Sequence, residues 1–297
     1  QRVIGSGSLM SNAVIINFDD SIESLPGSRA IPVQDWQDRI RYGCSLRDLT
    51  ALDEIFDHHN VGFPDVAFLG SGDFHHVSYL LIRRIASKAP FQVVVFDNHP
   101  DNMLYPWGIH CGSWVHHLCR LGFVSRVTVV GIASADIRWN HLWENYLLPL
   151  YTGKLSYLCL SPISRLTQLI GLTGIRDFRC DQESLPQRIA GHLRHQDANP
   201  IYLSIDKDVL SSRAVQTNWD QGVLTEQQLI KTVKRLNPYI IAADVTGDIS
   251  FHRYRQRWKA LLSKLDGQSP VPPADLDQLR HRHQEVNQQL LQALSRS

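Results

Sequence analysis

The sequence predicts a parallel α/β sheet, and three observations support this fold class. Apolar runs rich in β-branched residues recur along the chain, at 13–18, 66–69, 92–96, 127–132, 201–205 and 239–245. These runs are continuous rather than alternating, as is typical of strands covered on both faces. Helix-like stretches lie between them, at 77–88, 113–122, 136–148 and 225–236. Strand and helix therefore alternate as they do in parallel sheets.

Length and composition predict one main domain. The 297 residues, 43% apolar and 20% charged, suffice for a single core with a small extension. We expect one α/β domain over 13–266, followed by a linker and a C-terminal helix over 267–297, because the segment at 267–275 contains glycine and several prolines. That helix is expected to pack on the domain or on another subunit of a homo-oligomer.

Charge and cysteine usage exclude several classes of partner. A formal net charge of +1 predicts no electrostatic hold on nucleic acid or on an anionic membrane surface. The five cysteines contain no CxxC pair, which argues against a disulfide framework or a structural zinc site. No apolar run reaches the roughly 18 to 20 residues of a membrane span, and no signal region is expected at the N-terminus. We therefore expect a cytoplasmic protein with neither a nucleic-acid nor a membrane partner.

Two of the apolar runs end in carboxylates spaced two residues apart. The first is followed by Asp97, His99 and Asp101, and the second by Asp206 and Asp208. Side chains two residues apart point the same way on an extended chain, so each set is expected to converge on one side. Both sets also fall at the carboxyl ends of predicted strands, where open α/β sheets bind their ligands.

Together the two sets supply four carboxylates and one imidazole. This is too much negative charge to gather without cations, and it offers more ligands than one tetrahedral ion takes. Sites with many oxygens, with imidazole and without thiolate suit manganese or a similar hard divalent ion. Two such ions would lower the pKa of a bridging water toward neutrality and create hydroxide as the nucleophile. The sequence therefore predicts a hydrolytic centre with two divalent ions, with Mn²⁺ as the first choice.

Two further strand ends add candidate residues. A glycine-containing turn after the second strand is followed by His75 and His76, and either can be the sixth ligand. The last strand carries Asp244 at its end and Asp248 shortly after it. Asp244 follows the strand more directly, and we expect it to hold a cationic substrate.

Four motifs now stand in order between residues 66 and 248: GSGDFHH, DNHPD, SIDKD and ADVTGD. They resemble the motifs of the ureohydrolases, the family of arginase, agmatinase and formimidoylglutamase. The resemblance implies a three-layer α/β/α sandwich with a mostly parallel sheet of about eight strands, which deacetylase-like enzymes share. It also implies two Mn²⁺ ions bridged by hydroxide, and hydrolysis of a guanidinium or amidine carbon–nitrogen bond.

The resemblance further implies a set of metal ligands and a proton carrier. The ligands would be His75, Asp97, His99, Asp101, Asp206 and Asp208. His110, in the segment IHCGSW, matches a family histidine that shuttles protons. Asp101 or Asp208 would accept the proton of the hydroxide, and His110 would carry it to the leaving amine, since an imidazole serves as acid and base near neutral pH.

The chain departs from the family in the parts that read the substrate. The late glutamate that binds the guanidinium is replaced by the shorter Asp244, and the Ser-Gly-Asn element for the amino-acid end of arginine is replaced by a segment with Tyr105 and Trp107. We therefore assign catalytic roles to His110, Asp101 and Asp244 and substrate contacts to His76, Trp107 and Asp244. The expected substrate is a guanidino or amidino compound other than free arginine.

Two alternatives remain open. A deacetylase-like amidohydrolase would hold one zinc ion with an Asp-His-Asp set and would use His75 and His76 as acid and base on an acylated amine. It would leave Asp101 and Asp208 as surplus buried carboxylates, which is costly without a second cation. A non-catalytic metal-binding protein would keep the ligands while the substrate-reading elements change. The number of metal ions per chain separates the deacetylase-like alternative from the hydrolase with two ions. Turnover assays separate the non-catalytic alternative from either enzyme.

Overall fold

The computed structural model describes residues 12–61, 65–85, 89–137, 142–163, 172, 174–179, 183–268 and 275–295. The strands in this part of the chain are β1 (Ala13–Asn17), β2 (Ser28–Pro32), β3 (Gly43–Cys44), β4 (Val66–Phe68), β5 (Phe91–Phe96), β6 (Ile109–His110), β7 (Val124–Ile132), β8 (Leu155–Cys159), β9 (Ile175–Asp177), β10 (Ile201–Asp206) and β11 (Ile240–Thr246). Nine of them form one sheet in the order β2-β1-β4-β11-β10-β5-β7-β8-β9, and β3 pairs with β6 in a small antiparallel ribbon.

Every pairing within the nine-stranded sheet is parallel. Each apolar run predicted as a strand forms one, which confirms the parallel α/β class. The sheet has nine strands rather than about eight. Sequence patterns do not reveal β2, β8 or β9, because β2 is a partly exposed edge strand, β8 lacks β-branched residues and β9 is only three residues long.

The helices are α1 (Gln37–Ile40), α2 (Leu46–His58), α3 (Val77–Arg84), α4 (Trp114–Cys119), α5 (Leu148–Tyr151), α6 (Leu185–Gln196), α7 (Glu226–Leu236), α8 (Arg257–Leu265) and α9 (Leu276–Leu294). Local signals place several of them as expected. Thr225 and Gln228, for example, form a capping box at the start of α7. No helix in the described ranges is long and apolar enough to cross a membrane.

The helix predicted over 136–148 is wrong for the residues that the structure describes, and 138–141 lie outside them. The described part contains two short 3₁₀ turns, Ala135–Ile137 and Leu142–Glu144, instead. Their backbone groups bond to another loop: Leu104 N donates to Glu144 O at 2.8 Å, and Tyr146 N donates to Asn102 O at 3.1 Å. This pairing competes with helical hydrogen bonds and holds the 142–146 segment beside the residues that follow β5.

Hydrophobic cores lie on both faces of the sheet. Along β5, Val93 and Val95 enter the core beneath α2, α3 and α4, whereas Val94 and Phe96 enter the core beneath α6, α7 and α9. This alternation of side chains explains the continuous apolar runs in the sequence. The result is a three-layer α/β/α arrangement, in which α7 packs against both α6 and α9.

Candidate metal centre

The predicted ligands meet at the carboxyl edge of the sheet. Strands β5 and β10 are neighbours, with Phe96 paired to Ile205, so that Asp97 and Asp206 stand side by side just beyond that pair. His75 follows a 3₁₀ turn after β4 and reaches the same place. Sheet topology therefore assembles ligands that lie far apart in the sequence, at the position where parallel α/β sheets bind ligands.

Turns, rather than extended chain, bring the paired carboxylates together. His99 N donates to Asp97 Oδ1 at 2.6 Å, and Asp208 N donates to Asp206 Oδ1 at 2.9 Å. Asp101 has a positive φ of 48°, which reverses the chain direction. The carboxylates converge as expected, but the reason expected, an extended chain, was wrong. In each motif the first aspartate accepts a hydrogen bond from the backbone N–H two residues later, and this contact bends the chain.

The imidazoles of His75 and His99 each face several carboxylates. His75 Nδ1 lies 3.1 Å from Asp97 Oδ2, 3.1 Å from Asp101 Oδ2 and 3.5 Å from Asp206 Oδ2. His99 Nδ1 lies 2.8 Å from Asp208 Oδ2 and 3.5 Å from Asp97 Oδ1. Two adjacent groups that share Asp97 can each hold an ion: His75, Asp97 and Asp206 in one, and Asp97, His99 and Asp208 in the other.

The electrostatics of the cluster fit divalent cations. Burial, followed by repulsion from Asp97, raises the pKa of Asp101 to about 8 and that of Asp208 to about 6. Burial and the neighbouring Asp208 raise the pKa of Asp206 as well. Asp101 and Asp206 therefore retain protons near neutral pH unless another positive charge neutralises the cluster. Oxygen ligands with two imidazoles match the preference of Mn²⁺ and similar ions.

Neighbouring groups orient the ligands. Ser204 Oγ donates to Asp244 Oδ1 at 2.7 Å and lies 3.0 Å from His75 Nε2. Since this hydroxyl uses its proton on Asp244, it accepts from His75 Nε2–H, and Nδ1 is directed at the carboxylates, where its lone pair would bind a cation once the Nδ1 proton is displaced. Trp114 Nε1 donates to Asp101 Oδ2 at 2.6 Å. No motif in the sequence indicates these supporting contacts.

The structure corrects the position expected for Asp244. Its side chain is fully buried and accepts hydrogen bonds from Ser78, Ser204 and Tyr202. The register of β10 and β11 pairs Asp244 with Ser204, two residues short of the sheet edge. Asp244 therefore lies behind the ligands and does not line the cavity above them. A role in holding the substrate does not fit this position.

The end of β11 offers no substitute carboxylate to the cavity. Gly247 follows the strand with a φ of +86°, and a Cβ built there would lie 2.3 Å from Asp206 Oδ1. Glycine is therefore required by both conformation and space. Asp248 turns away and pairs with Lys207.

His76 and Trp107 also differ from expectation. His75, not His76, faces the carboxylates, because consecutive side chains in this helical turn point in different directions. The His76 ring is fully buried away from the cavity, and neither of its nitrogens has a hydrogen-bond partner among the described residues. Trp107 is 72% exposed and lines a separate groove with Tyr105 and Trp258. Neither position supports the predicted substrate contact.

His110 lines the cavity beside the ligands. The β3–β6 ribbon carries it, and its Nδ1 accepts a hydrogen bond from Gly112 N at 2.8 Å. Burial lowers the pKa of His110 to about 3, so the imidazole is neutral at pH 7. Because Nδ1 accepts, the proton of the neutral ring is on Nε2. This tautomer offers Nε2–H as a hydrogen-bond donor.

The cavity has a volume of about 460 Å³, and its wall carries carboxylates in addition to those of the predicted metal ligands. Asp136, Glu144 and Asp266 also line it, together with the ring of Trp219. Tyr42 OH donates to Asp266 Oδ2 at 2.5 Å, which fixes that carboxylate at the wall. Sequence analysis missed these residues because they lie in loops and turns without any recognisable motif.

Replacing Asp244 with asparagine should mainly destabilise the fold. The amide group would face three hydroxyl donors with only one acceptor oxygen, and leaving one buried hydroxyl unsatisfied costs about 1 to 3 kcal/mol. We expect denaturant unfolding to show this loss, with KM unchanged in any active preparation. Ser78→Ala, which removes one of the three donors, is the matched control. A large rise in KM without loss of stability would instead place Asp244 at the substrate.

Comparisons with known proteins agree with this architecture. No protein-family model matches the chain. A curated protein from Thermotoga maritima, described only as uncharacterized, is 28% identical over 230 residues, or 76% of this chain and 75% of that protein.

Similar solved structures include three hydrolases. Arginase from Bacillus subtilis aligns with a TM-score of 0.55 and 12% identity, over 91% of this chain and 84% of that chain. Proclavaminate amidinohydrolase from Streptomyces clavuligerus aligns at 0.52 and 15%, over 96% and 93%. Formiminoglutamase from Trypanosoma cruzi, solved with Mn²⁺, aligns at 0.52 and 10%, over 98% and 96%. The chain therefore has the arginase-like α/β/α fold of the ureohydrolases, carried by a divergent sequence.

Proposed function

We propose that the chain is a hydrolase that uses two divalent metal ions, with Mn²⁺ as the first candidate, to cleave a non-peptide carbon–nitrogen bond of a cationic guanidino or amidino compound. The observation that supports this most is the pair of adjacent ligand groups joined by Asp97. A single shared carboxylate between two imidazole-containing groups is suited to two neighbouring cations. The fold of the similar amidinohydrolases supports the same reaction class.

The six predicted ligands would hold the ions, with His75 and Asp101 at one end of the cluster and His99 and Asp208 at the other. The metal, when bound, supplies an acidified water as the nucleophile. Ser204 holds the tautomer of His75 that presents Nδ1. The ligands themselves are almost completely buried apart from His99, so the reacting water would be shielded from bulk solvent.

His110 is the candidate proton carrier. Its neutral ring carries the proton on Nε2 and can hydrogen-bond the leaving nitrogen through it. To release that proton without forming an imidazolate, the ring would have to take up a second proton on Nδ1, in place of the hydrogen bond from Gly112 N. Because burial lowers the pKa of His110 to about 3, the ring stays neutral beside a cationic substrate and would carry a positive charge only transiently during the reaction. Asp101 is held by both His75 and Trp114, which suits a ligand better than a mobile base.

The acidic cavity wall supports a cationic substrate. Asp136, Glu144 and Asp266 add negative charge above the ligands. An α-carboxylate such as that of free arginine would be repelled there, whereas a positively charged tail would be attracted. We therefore propose that recognition of the cation occurs at this wall and not at Asp244. The single-zinc alternative requires His76 as an acid or base, and His76 does not line the cavity.

Metal content and turnover together test the proposal. Protein purified with Mn²⁺ should contain close to two ions per chain and should hydrolyse at least one member of a panel of guanidino compounds and amidines. About one ion per chain with cleavage of acylated amines would favour the deacetylase-like reading. Two ions without turnover across the panel would favour a non-catalytic metal protein, and efficient cleavage of free arginine would contradict the proposed specificity.

The double variant Asp136→Asn with Asp266→Asn should raise KM for a cationic substrate by about tenfold while kcat stays within about twofold. Each side chain is solvent-accessible in part, so each lost charge is worth only about 0.5 to 1 kcal/mol. Asparagine still accepts the Tyr42 hydrogen bond through its carbonyl. Asp35→Asn, an exposed position on a short turn away from the cavity, is the control. An unchanged KM in the double variant would remove the cavity wall from substrate recognition.

A further inference from the structure

Lys207 lies between two predicted ligands, yet its side chain takes no part in the cavity. It separates Asp206 from Asp208 in the motif SIDKD and is fully buried. Its ammonium group lies 2.6 Å from Asp248 Oδ1 and donates to Asn287 Oδ1 at 2.8 Å. The turn that carries two ligands is thus attached on its other side to β11 and to α9.

The contacts close into a ring. Asn287 Nδ2 donates to Asp248 Oδ1 at 2.9 Å, so the same carboxylate oxygen receives both the ammonium and the amide. The Asn287 side chain is fully buried, and its orientation is fixed, since its oxygen faces a cation and its nitrogen faces an anion. Two elements distant in sequence therefore determine where the backbone of Lys207 lies.

The backbone around this ring is equally constrained. Asp248 N donates to Gly70 O at 3.0 Å, which joins the end of β11 to the turn before His75. A Cβ at Gly247 would lie 2.7 Å from Lys207 N, so the two segments are in direct contact. A movement of Lys207 would move the adjacent ligands and the segment that leads to His75.

Stability alone is a weak reason for such a ring. Burying an ion pair costs desolvation free energy that the attraction between the charges often does not recover. Well-packed apolar residues at the same positions often give a protein of equal or greater stability. A ring of directional contacts does, however, define one geometry. Partners that hydrogen-bond directly to metal ligands typically change metal affinity by about 10- to 100-fold when they are lost, and this ring acts one step further out, on the backbone between two ligands.

We propose that Lys207, Asp248 and Asn287 are positioning residues of the metal centre. They hold the turn from Asp206 to Asp208 in the conformation that presents both carboxylates to the ions. The helix α9 would then be part of the functional site, although none of its residues lines the cavity. This inference rests on the metal centre of the proposed function and concerns residues to which that function assigned no role.

The decisive variant is Asn287→Leu, which removes both contacts from α9 and retains most of the volume. Its matched control is Gln284→Leu on the same helix, where Gln284 is also buried and donates one hydrogen bond to Ser24 O at 2.9 Å, outside the ring. Mn²⁺ binding to the metal-free full chain is measured by calorimetry. The exchange-coupled signal of two Mn²⁺ ions is followed by electron paramagnetic resonance, and Tm is recorded for each protein.

We expect Asn287→Leu to weaken Mn²⁺ binding at least tenfold and to alter the coupled signal, while Gln284→Leu lowers Tm without changing either. If both variants lower Tm and both keep wild-type affinity and signal, the ring is merely structural and the inference is wrong. Asn287→Ala replaces the leucine variant if that chain does not fold. A wild-type chain that binds no Mn²⁺ would overturn the metal centre itself, whereas normal binding in the Asn287 variants would overturn the positioning role alone.

Discussion

Replacing Asp208 with alanine is expected to lower the metal content from about two ions per chain to about one and to abolish hydrolysis, with at least a 10³-fold loss of kcat. Asp208 belongs only to the group around His99, whose Nδ1 lies 2.8 Å from its Oδ2. Removing it leaves that group with too few ligands, whereas the group around His75 is retained. Elemental analysis and a turnover assay measure the two effects.

The metal-free variant provides the control. In the absence of ions Asp208 is one of several buried carboxylates, and burial together with Asp97 raises its pKa to about 6. Its loss relieves that repulsion but removes the acceptor of Asn98 N, which donates to Asp208 Oδ1 at 3.0 Å, so the metal-free fold should lose no more than about 1 to 3 kcal/mol and stay folded, although the stabilisation by Mn²⁺ falls. If the variant retained two ions and full activity, the binuclear assignment would have to be abandoned.

The second large effect is the dependence of stability on pH and Mn²⁺. Burial and the neighbouring Asp97 raise the pKa of Asp101 to about 8, far above the value of about 3.9 for an unfolded aspartate. The nearby carboxylates also raise the pKa values of His75 and His99, against the opposing effect of burial.

Burial lowers the pKa of other histidines, including His110 and His116, so below about pH 7 the unfolded chain takes up protons there that the folded chain does not. Between about pH 7.5 and pH 8.5 those histidines are neutral in both states, and the folded metal-free chain binds more protons than the unfolded chain, although Lys259, whose pKa burial lowers to about 8, offsets part of this excess.

Stability must then fall as pH rises through this range, because the unfolded state loses its protons first. The pKa of Asp97 is lowered, and its contribution changes only below about pH 4, so it does not oppose the trend. We expect the Tm of the metal-free chain to drop by on the order of 3 °C between pH 7.5 and pH 8.5.

Mn²⁺ should reverse this dependence, since the ions replace the protons that the cluster otherwise holds. At a fixed concentration of Mn²⁺, the rise in Tm should be larger at pH 8 than at pH 6. Thermal scans of metal-free and Mn²⁺-loaded protein at both pH values measure this difference, and Mg²⁺ at the same ionic strength controls for salt. Equal rises at the two pH values would mean that metal binding releases no protons from these ligands.

The sequence contains much of the fold because buried parallel strands leave a strong signal. The runs that form β5 and β10 are apolar on both faces, and their carboxyl ends carry the ligands, so both the strands and Asp97 and Asp206 could be predicted. Strands β8 and β9 could not be predicted, because β8 lacks β-branched residues and β9 is only three residues long. The helix expected over 136–148 failed because contacts from the loop after β5 outweigh local propensity.

The candidate site likewise contains residues that could be predicted from the sequence and residues that could not. Ligands that stand in motifs were predictable, although the choice between His75 and His76 depended on the direction of a single helical turn. Asp244 was misplaced because sequence alone does not give the register between β10 and β11, which sets it two residues inside the edge. Asp136 and Asp266 reach the cavity through tertiary contacts that have no counterpart in the sequence pattern.

The position of β10 between β5 and β11 also has a consequence for biosynthesis. His99 and Asp208 face each other across 109 positions of the chain. At roughly 5 to 20 residues per second, the ribosome would release the first of them on the order of 5 to 20 seconds before the second. Throughout that interval the ligands that follow β5 are present without those of β10 and cannot hold a pair of ions. Metal loading of the nascent chain therefore has to wait until β10 is inserted beside β5, and an early-bound cation would occupy at most half of the final site.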